Sequence, residues 1–295
     1  MAVATLAACE SRFAPLREVQ DPVYSIDLRY WGVPPNPEQR ERIEAAALRW
    51  EELISRGIPN TEVRGTAGCG AGSPAVDAEV DDVIIFVRVT EIEALAESGP
   101  CTVRADGGLP VTATVWLDGP TRLDRLDLDF VEALATHEIG HALGFGSLWP
   151  ESGLLGEPSL SGGQDPHFRG ANAVQEFNAA GGLGYAGNKV PVEVFGGPGT
   201  ADSHWRASVI GDSELMSFTI LLGPNPLSRM TAGAMIDLGY EVDFSAADDY
   251  VLPGSTTLAP SRAPVISEAF PRLTESPPRW SVTVIDRSGA IVGGR

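Results

Sequence analysis

Thr136-His137-Glu138-Ile139-Gly140-His141-Ala142-Leu143-Gly144 is the stretch on which the reading of this chain turns. His137 and His141 stand four apart, so on a helix both imidazoles leave the same face. Two neutral ring nitrogens placed that way can share one Zn2+ at ~2.0–2.1 Å. Glu138 follows His137 by one position, about 100° round the helix. From there a carboxylate reaches a zinc-activated water without becoming a ligand. It can take a proton from that water as it attacks a carbonyl and return it to the departing amine. The bland alternative is a helix whose histidines only satisfy polar contacts in a core, which makes the H-E-x-x-H spacing a coincidence.

Just upstream, Asp129-Phe130-Val131-Glu132 reads as a capping box that opens the helix, and Gly144 as the left-handed residue that stops it. A tetrahedral site asks for a third protein ligand and an open fourth position. The compact spacing H-E-x-x-H-x-x-G-x-x-H would put that ligand at position 147, which is Ser147. Only His167 and His204 remain as histidine candidates. His167 lies in the turn-like Asp165-Pro166-His167-Phe168, which on the residues alone leaves it either a ligand or a surface or structural histidine.

The run from His137 through Gly144 and Phe145, followed by His204-Trp205 and Glu214-Leu215-Met216, resembles the leishmanolysin-like metzincin zinc endopeptidases, in particular their shorter bacterial members. Phe168-Arg169-Gly170-Ala171-Asn172-Ala173 and the segment at 227–240 share the likeness. It covers roughly residues 23–250 and is strongest at 130–240. The resemblance implies a large insertion after Gly144, with His204 as third zinc ligand. It implies that Met216 is the methionine of the Met-turn, a packing floor under the metal and not a ligand. Ser217 and Phe218 follow Met216, so no tyrosine ligand is expected from that turn, and the zinc supplies most of the oxyanion stabilisation. The implied fold is α+β, a metzincin-type zincin with a mixed sheet, helices, an active-site helix and a glycine-rich C-terminal subdomain.

Periodicity along the chain supplies the parts. Residues 23–30 alternate as a half-buried strand does. Asn36-Pro37-Glu38-Gln39 is an N-cap with proline at N1 and glutamine at N3. The helix it opens carries Ile43, Ala46, Ala47, Trp50, Leu53 and Ile54 on one face, and Gly57 is expected to end it. Residues 83–89 are nearly all apolar, as in a central strand covered on both faces. Residues 91–97 read as a short helix. Residues 109–117 alternate again, and the proline near their start suits an edge strand. That edge either receives an extended peptide by strand addition or is an ordinary sheet edge.

Residues 146–203 hold 13 glycines in 58 positions, with one helix expected at 171–180. Helical spacing returns at 227–240 through Met230, Ala234, Met235 and Leu238. The chain thus divides into an export remnant and linker (1–22), a catalytic domain (23–252, with subdomains 23–145 and 146–252) and a Ser/Thr/Pro-rich, loosely attached tail (253–295).

Among 295 residues, Lys+Arg number 21 and Asp+Glu 40, a net charge of −19. Such a chain repels phosphate backbones and anionic headgroups, so nucleic acid is not an expected partner. Lys189 is the single lysine, which excludes a polybasic anchor, and no stretch approaches the ~18 apolar residues of a membrane span. Leu6-Ala7-Ala8-Cys9 resembles a bacterial lipobox, with Cys9 the lipidated residue. The run before it is short for an export signal and lacks a positive n-region, so a frayed alanine-rich terminus is the alternative. With Cys9 assigned to export, no cysteine-switch latency is expected. Cys69 and Cys101 remain as a pair flanked by turns, either a disulfide worth ~3 kcal/mol in an exported protein or two buried thiols. No D-x-[DN]-x-[DN]-G calcium loop occurs.

Taken together, these features predict an exported zinc endopeptidase, extracellular or in the cell envelope, acting on protein or peptide substrates and touching a membrane only through a lipid on Cys9. Two readings compete with it: a zinc-binding adhesion or recognition module without turnover, and a hydrolase of non-peptide amides or esters. Glu138 speaks against the first, because metal binding alone has no use for that carboxylate.

Overall fold

The apolar run at 83–89 becomes the interior of a sheet. The computed structural model describes residues 23–254, apart from 66, 67, 71 and 186, and residues 281–294. In chain order the elements are β1 (Ile26–Tyr30), α1 (Pro37–Leu53), β2 (Thr61–Val63), β3 (Ala78–Val80), β4 (Val83–Thr90), β5 (Ala96–Arg104), β6 (Pro110–Asp118), α2 (Pro120–Leu123) and α3 (Leu128–Ala142). Then follow β7 (Leu155–Gly156), β8 (His167–Phe168), α4 (Ala171–Ala179), β9 (Val190–Pro191), α5 (Ala207–Ile210), α6 (Arg229–Leu238), β10 (Thr283–Ile285) and β11 (Ile291–Gly294). This is a mixed α+β chain. Cys9 and the expected lipobox lie outside the described residues.

The main sheet has the strand order β1-β4-β6-β5-β10-β11. β1, β4 and β6 run parallel, β5 is antiparallel to β6, and β10 runs parallel to β5. One face carries Val83, Ile85, Val87, Ala113, Val115 and Leu117 into a core shared with α1 and α3. The opposite face carries Ile84, Phe86 and Val111 into a smaller core with Val63, Val80 and Ile285. Cys69 and Cys101 lie in this second core and form a disulfide.

α1 starts as its sequence dictates. The Asn36 side chain accepts from the Gln39 backbone N–H at 3.0 Å, and the Gln39 side chain accepts from the Asn36 N–H at 2.9 Å. Its buried face is Gln39, Ile43, Ala46, Ala47, Trp50 and Leu53. The helix ends at Leu53, short of Gly57, because extended Ile54 forms a bridge with Val242.

α3 starts two residues before the expected cap. Asp127 accepts from the Asp129 N–H at 2.9 Å, whereas Glu132 receives the Arg42 guanidinium at 2.8 Å. At its other end Leu143 caps the helix and Gly144 takes φ +109°, the left-handed stop. α4 and α6 also form, the latter capped by Ser228 and stopped by Gly239 at φ +117°.

Three further expectations are corrected. Residues 91–97 form no helix: β5 begins at Ala96 and pairs with Leu117 of β6, and cross-strand pairing overrides a local helical preference. The strand at 109–117 is interior, with β4 on one side and β5 on the other. Its proline is the first residue of β6, where a missing N–H is tolerated without an edge. The proposal that this strand receives a peptide on an open edge therefore falls. The end of the supposed loose tail is part of the sheet, since Thr283, Val284 and Ile285 register with Thr102, Val103 and Arg104.

Candidate metal centre

α3 carries His137, Glu138 and His141 at its buried C-terminal half, and a segment 63 residues beyond His141 delivers His204. The three Nε2 atoms converge: His137 to His141 is 3.1 Å, His137 to His204 is 3.2 Å, and His141 to His204 is 3.0 Å. All three rings are buried. Each Nδ1 meets a backbone carbonyl, Leu215 at 2.6 Å for His137, Phe145 at 2.9 Å for His141 and Thr200 at 2.9 Å for His204. A carbonyl only accepts, so each Nδ1 carries the proton and each Nε2 presents a lone pair.

Three lone pairs turned on one another at this range repel. A cation among them reverses the sign of that interaction, so the donor set fits a metal ion. A tetrahedral ion with bonds of ~2.0–2.1 Å spaces its nitrogens about 3.3 Å apart, close to the observed separations. Among the described residues, this is the group of histidine, cysteine or carboxylate side chains placed to hold a metal. His167 is not part of it. It sits in the small β7-β8-β9 sheet, its Nδ1 2.7 Å from the Asp165 carbonyl.

Packing explains how residues so distant in sequence meet. The Trp50 indole donates to the Thr136 carbonyl at 2.8 Å, tying α1 to the turn before His137. The segment bearing His204 is held on both sides, since Trp205 bridges Val192 on one side and Ser217 on the other. Trp205 also packs in an aromatic cluster with Phe145, Trp149 and Phe168. At Gly146, φ is +70° and an added Cβ would lie 2.1 Å from the Ser203 carbonyl oxygen, so glycine is required where this loop meets the His204 segment.

Beneath α3, Met216 is fully buried against Gly140. A Cβ on Gly140 would lie 2.9 Å from both the Met216 sulfur and Trp50 Cζ2, so this helical glycine serves close approach. Glu214 fixes the turn from the other side. It accepts from Ser228 Oγ at 2.6 Å, Thr231 Oγ1 at 2.5 Å and the Met216 N–H at 2.7 Å. Burial pushes its carboxyl up from the ordinary range, against the lowering effect of those hydrogen bonds. Thr231 Oγ1 also receives the Trp205 indole N–H at 2.8 Å.

Glu138 is buried beside the histidines, and Ser98 Oγ donates to its Oε2 at 2.6 Å. Sequence reasoning missed Ser98, the Leu215, Phe145 and Thr200 carbonyls, and the part played by Glu214. Main-chain acceptors leave no trace in side-chain identity. Glu214 stood in the quoted Glu-Leu-Met run, but nothing local marked it as buried.

Comparison with known proteins agrees with this geometry. The family model described as leishmanolysin, a peptidase family, matches residues 73–258, more than half of the chain, and spans the three histidines, Glu138 and Met216. No curated protein matches the chain significantly.

Proposed function

The chain belongs to the leishmanolysin family of metallopeptidases, and from that premise we propose that it is an exported zinc endopeptidase of metzincin type that hydrolyses internal peptide bonds. The observation that carries this reading is the convergence of the three Nε2 lone pairs within 3.2 Å, with the Glu138 carboxylate on the same helix. His137, His141 and His204 would hold one zinc ion, with the carbonyls of Leu215, Phe145 and Thr200 fixing each ring. Zinc, when bound, supplies Lewis acidity that acidifies a water and polarises the scissile carbonyl.

Glu138 accepts the proton of the attacking water and delivers it to the amide nitrogen as the C–N bond breaks. Met216 fills the space under Gly140 and keeps α3 at a fixed height above the Glu214–Met216 turn. The substrates on this reading are proteins or peptides. The Cys69–Cys101 disulfide supports export, since such bonds persist in oxidising compartments. Lipidation of Cys9 belongs to the same proposal. Among the described residues, no helix is long and apolar enough to cross a membrane.

Chelation tests the reading. Purified protein should bind one zinc per chain and cleave casein, lose both on dialysis against a chelator, and regain both with added zinc. Cleavage that persists after the metal has been stripped would contradict it.

A further inference from the structure

We propose that Ser98 is a positioning residue for Glu138, an inference that rests on Glu138 being the general base. Ser98 lies on β5, opposite Val115 of β6, and β5 packs against α3. Ser98 Oγ donates to Glu138 Oε2 at 2.6 Å, a short hydrogen bond between sheet and helix. The hydroxyl stands on a rigid platform. β5 is paired with β6 on both sides of Ser98, from Ala96 opposite Leu117 to Pro100 opposite Ala113, and the disulfide fastens it at Cys101.

The terminal torsion of a glutamate is soft, so the two oxygens of an isolated side chain exchange places readily. A hydroxyl donated from the sheet removes that freedom. It commits Oε2 to the strand and assigns proton transfer to Oε1. In the hydrolysis, the water O–H proton passes to Oε1 as the water oxygen bonds the scissile carbon. The same proton passes from Oε1 to the amide nitrogen as the C–N bond breaks, giving a carboxylic acid and an amine. Ser98 keeps its own proton throughout. Its contribution is orientation, which acts on turnover and leaves substrate affinity and metal binding alone.

The test compares zinc-loaded wild type, Ser98→Ala and Ser98→Thr. The readouts are kcat and KM for casein cleavage, zinc bound per chain, and a crystal structure of each variant. Ser98 is partly exposed on β5, and Ser98→Thr introduces a β-branched residue suited to a strand. Ser98→Ala is expected to lower kcat about tenfold with KM and zinc content unchanged, the loss of one hydrogen bond to a charged group. Its crystal structure is expected to show the Glu138 carboxylate rotated from its wild-type position. Ser98→Thr, which keeps the hydroxyl, restores both the rate and the orientation.

Wild-type kcat in Ser98→Ala, or an equal loss in Ser98→Thr, overturns the proposal, as does a Ser98→Ala structure with Glu138 unmoved. If the wild type cleaves nothing, the endopeptidase reading fails by itself, and the Glu138 orientation in the crystal structures alone decides the role of Ser98.

Discussion

The Leu215 carbonyl oxygen lies 2.6 Å from His137 Nδ1, a contact that spans 78 residues of sequence. It joins the H-E-x-x-H helix to the turn that carries Met216. The turn is in turn set by Glu214, whose carboxylate takes both the Met216 N–H and the hydroxyls of α6 and its cap. The orientation of a metal-facing imidazole thus depends on a buried acid that never touches the metal site.

Glu214→Ala should therefore weaken two properties at once. It strands the Ser228 and Thr231 hydroxyls and the Met216 N–H in the interior, at a cost of about 3 kcal/mol in unfolding free energy. Loosening the acceptor of His137 lowers zinc affinity about 10- to 100-fold. Urea unfolding and a competitive zinc titration measure the two effects, and normal zinc affinity in a destabilised variant would sever the link between Glu214 and His137.

The histidines sort by position. His204→Ala should abolish tight zinc binding, because it removes one of three converging Nε2 atoms. His167→Ala should leave zinc binding intact, since that ring lies against the Asp165 carbonyl in a separate small sheet. Zinc titration of both variants gives the answer directly.

Gly140→Ala runs against propensity. An alanine in the middle of a helix normally gains about 1 kcal/mol over glycine. Here the new methyl would meet Met216 and Trp50 at 2.9 Å, both fully buried. Overpacking of this kind costs about 1–3 kcal/mol, so the variant should be less stable than wild type. A raised thermal midpoint would show that the helix and the Met216 turn are not in firm contact.

Asp165 gives the chain an acid-sensitive tie. Burial alone would raise its carboxyl, but hydrogen bonds from Lys189, Tyr185 and Arg206 outweigh that and hold it at about 2, below the ordinary 3.8. A carboxyl depressed by folding contributes its stability in full above the ordinary value and loses it as pH falls through about 2. Between pH 4 and pH 2 the wild type should lose more unfolding free energy than Asp165→Asn. Parallel slopes for the two proteins over that interval would contradict this assignment.

Much of this was legible in the sequence because it is local. The Asn36-Pro37-Glu38-Gln39 cap, the apolar run of β4 and the four-residue histidine spacing each declare themselves within a single turn or strand. The placement of His204 and Met216 came through resemblance to a family and not through any pattern in the chain itself. What stayed hidden is long-range. The stretch at 91–97 has helix-forming side chains, and β5 begins within it only because β6 offers partners. Whether β6 is central depends on β5, and the attachment of 283–285 depends on Thr102, Val103 and Arg104, some 180 residues earlier. Ser98 carries no motif, and its importance arises from the packing of β5 on α3.

On the proposed mechanism this chain hydrolyses peptide bonds with Glu138 as base at a zinc site built from His137, His141 and His204. The most direct measurement is casein cleavage by zinc-loaded wild type beside Glu138→Ala, with zinc content determined for both. One zinc per chain is expected in each, with cleavage by the wild type and a loss of at least about a hundredfold in the variant. Equal cleavage by the two proteins, or none by a fully zinc-loaded wild type, would contradict it.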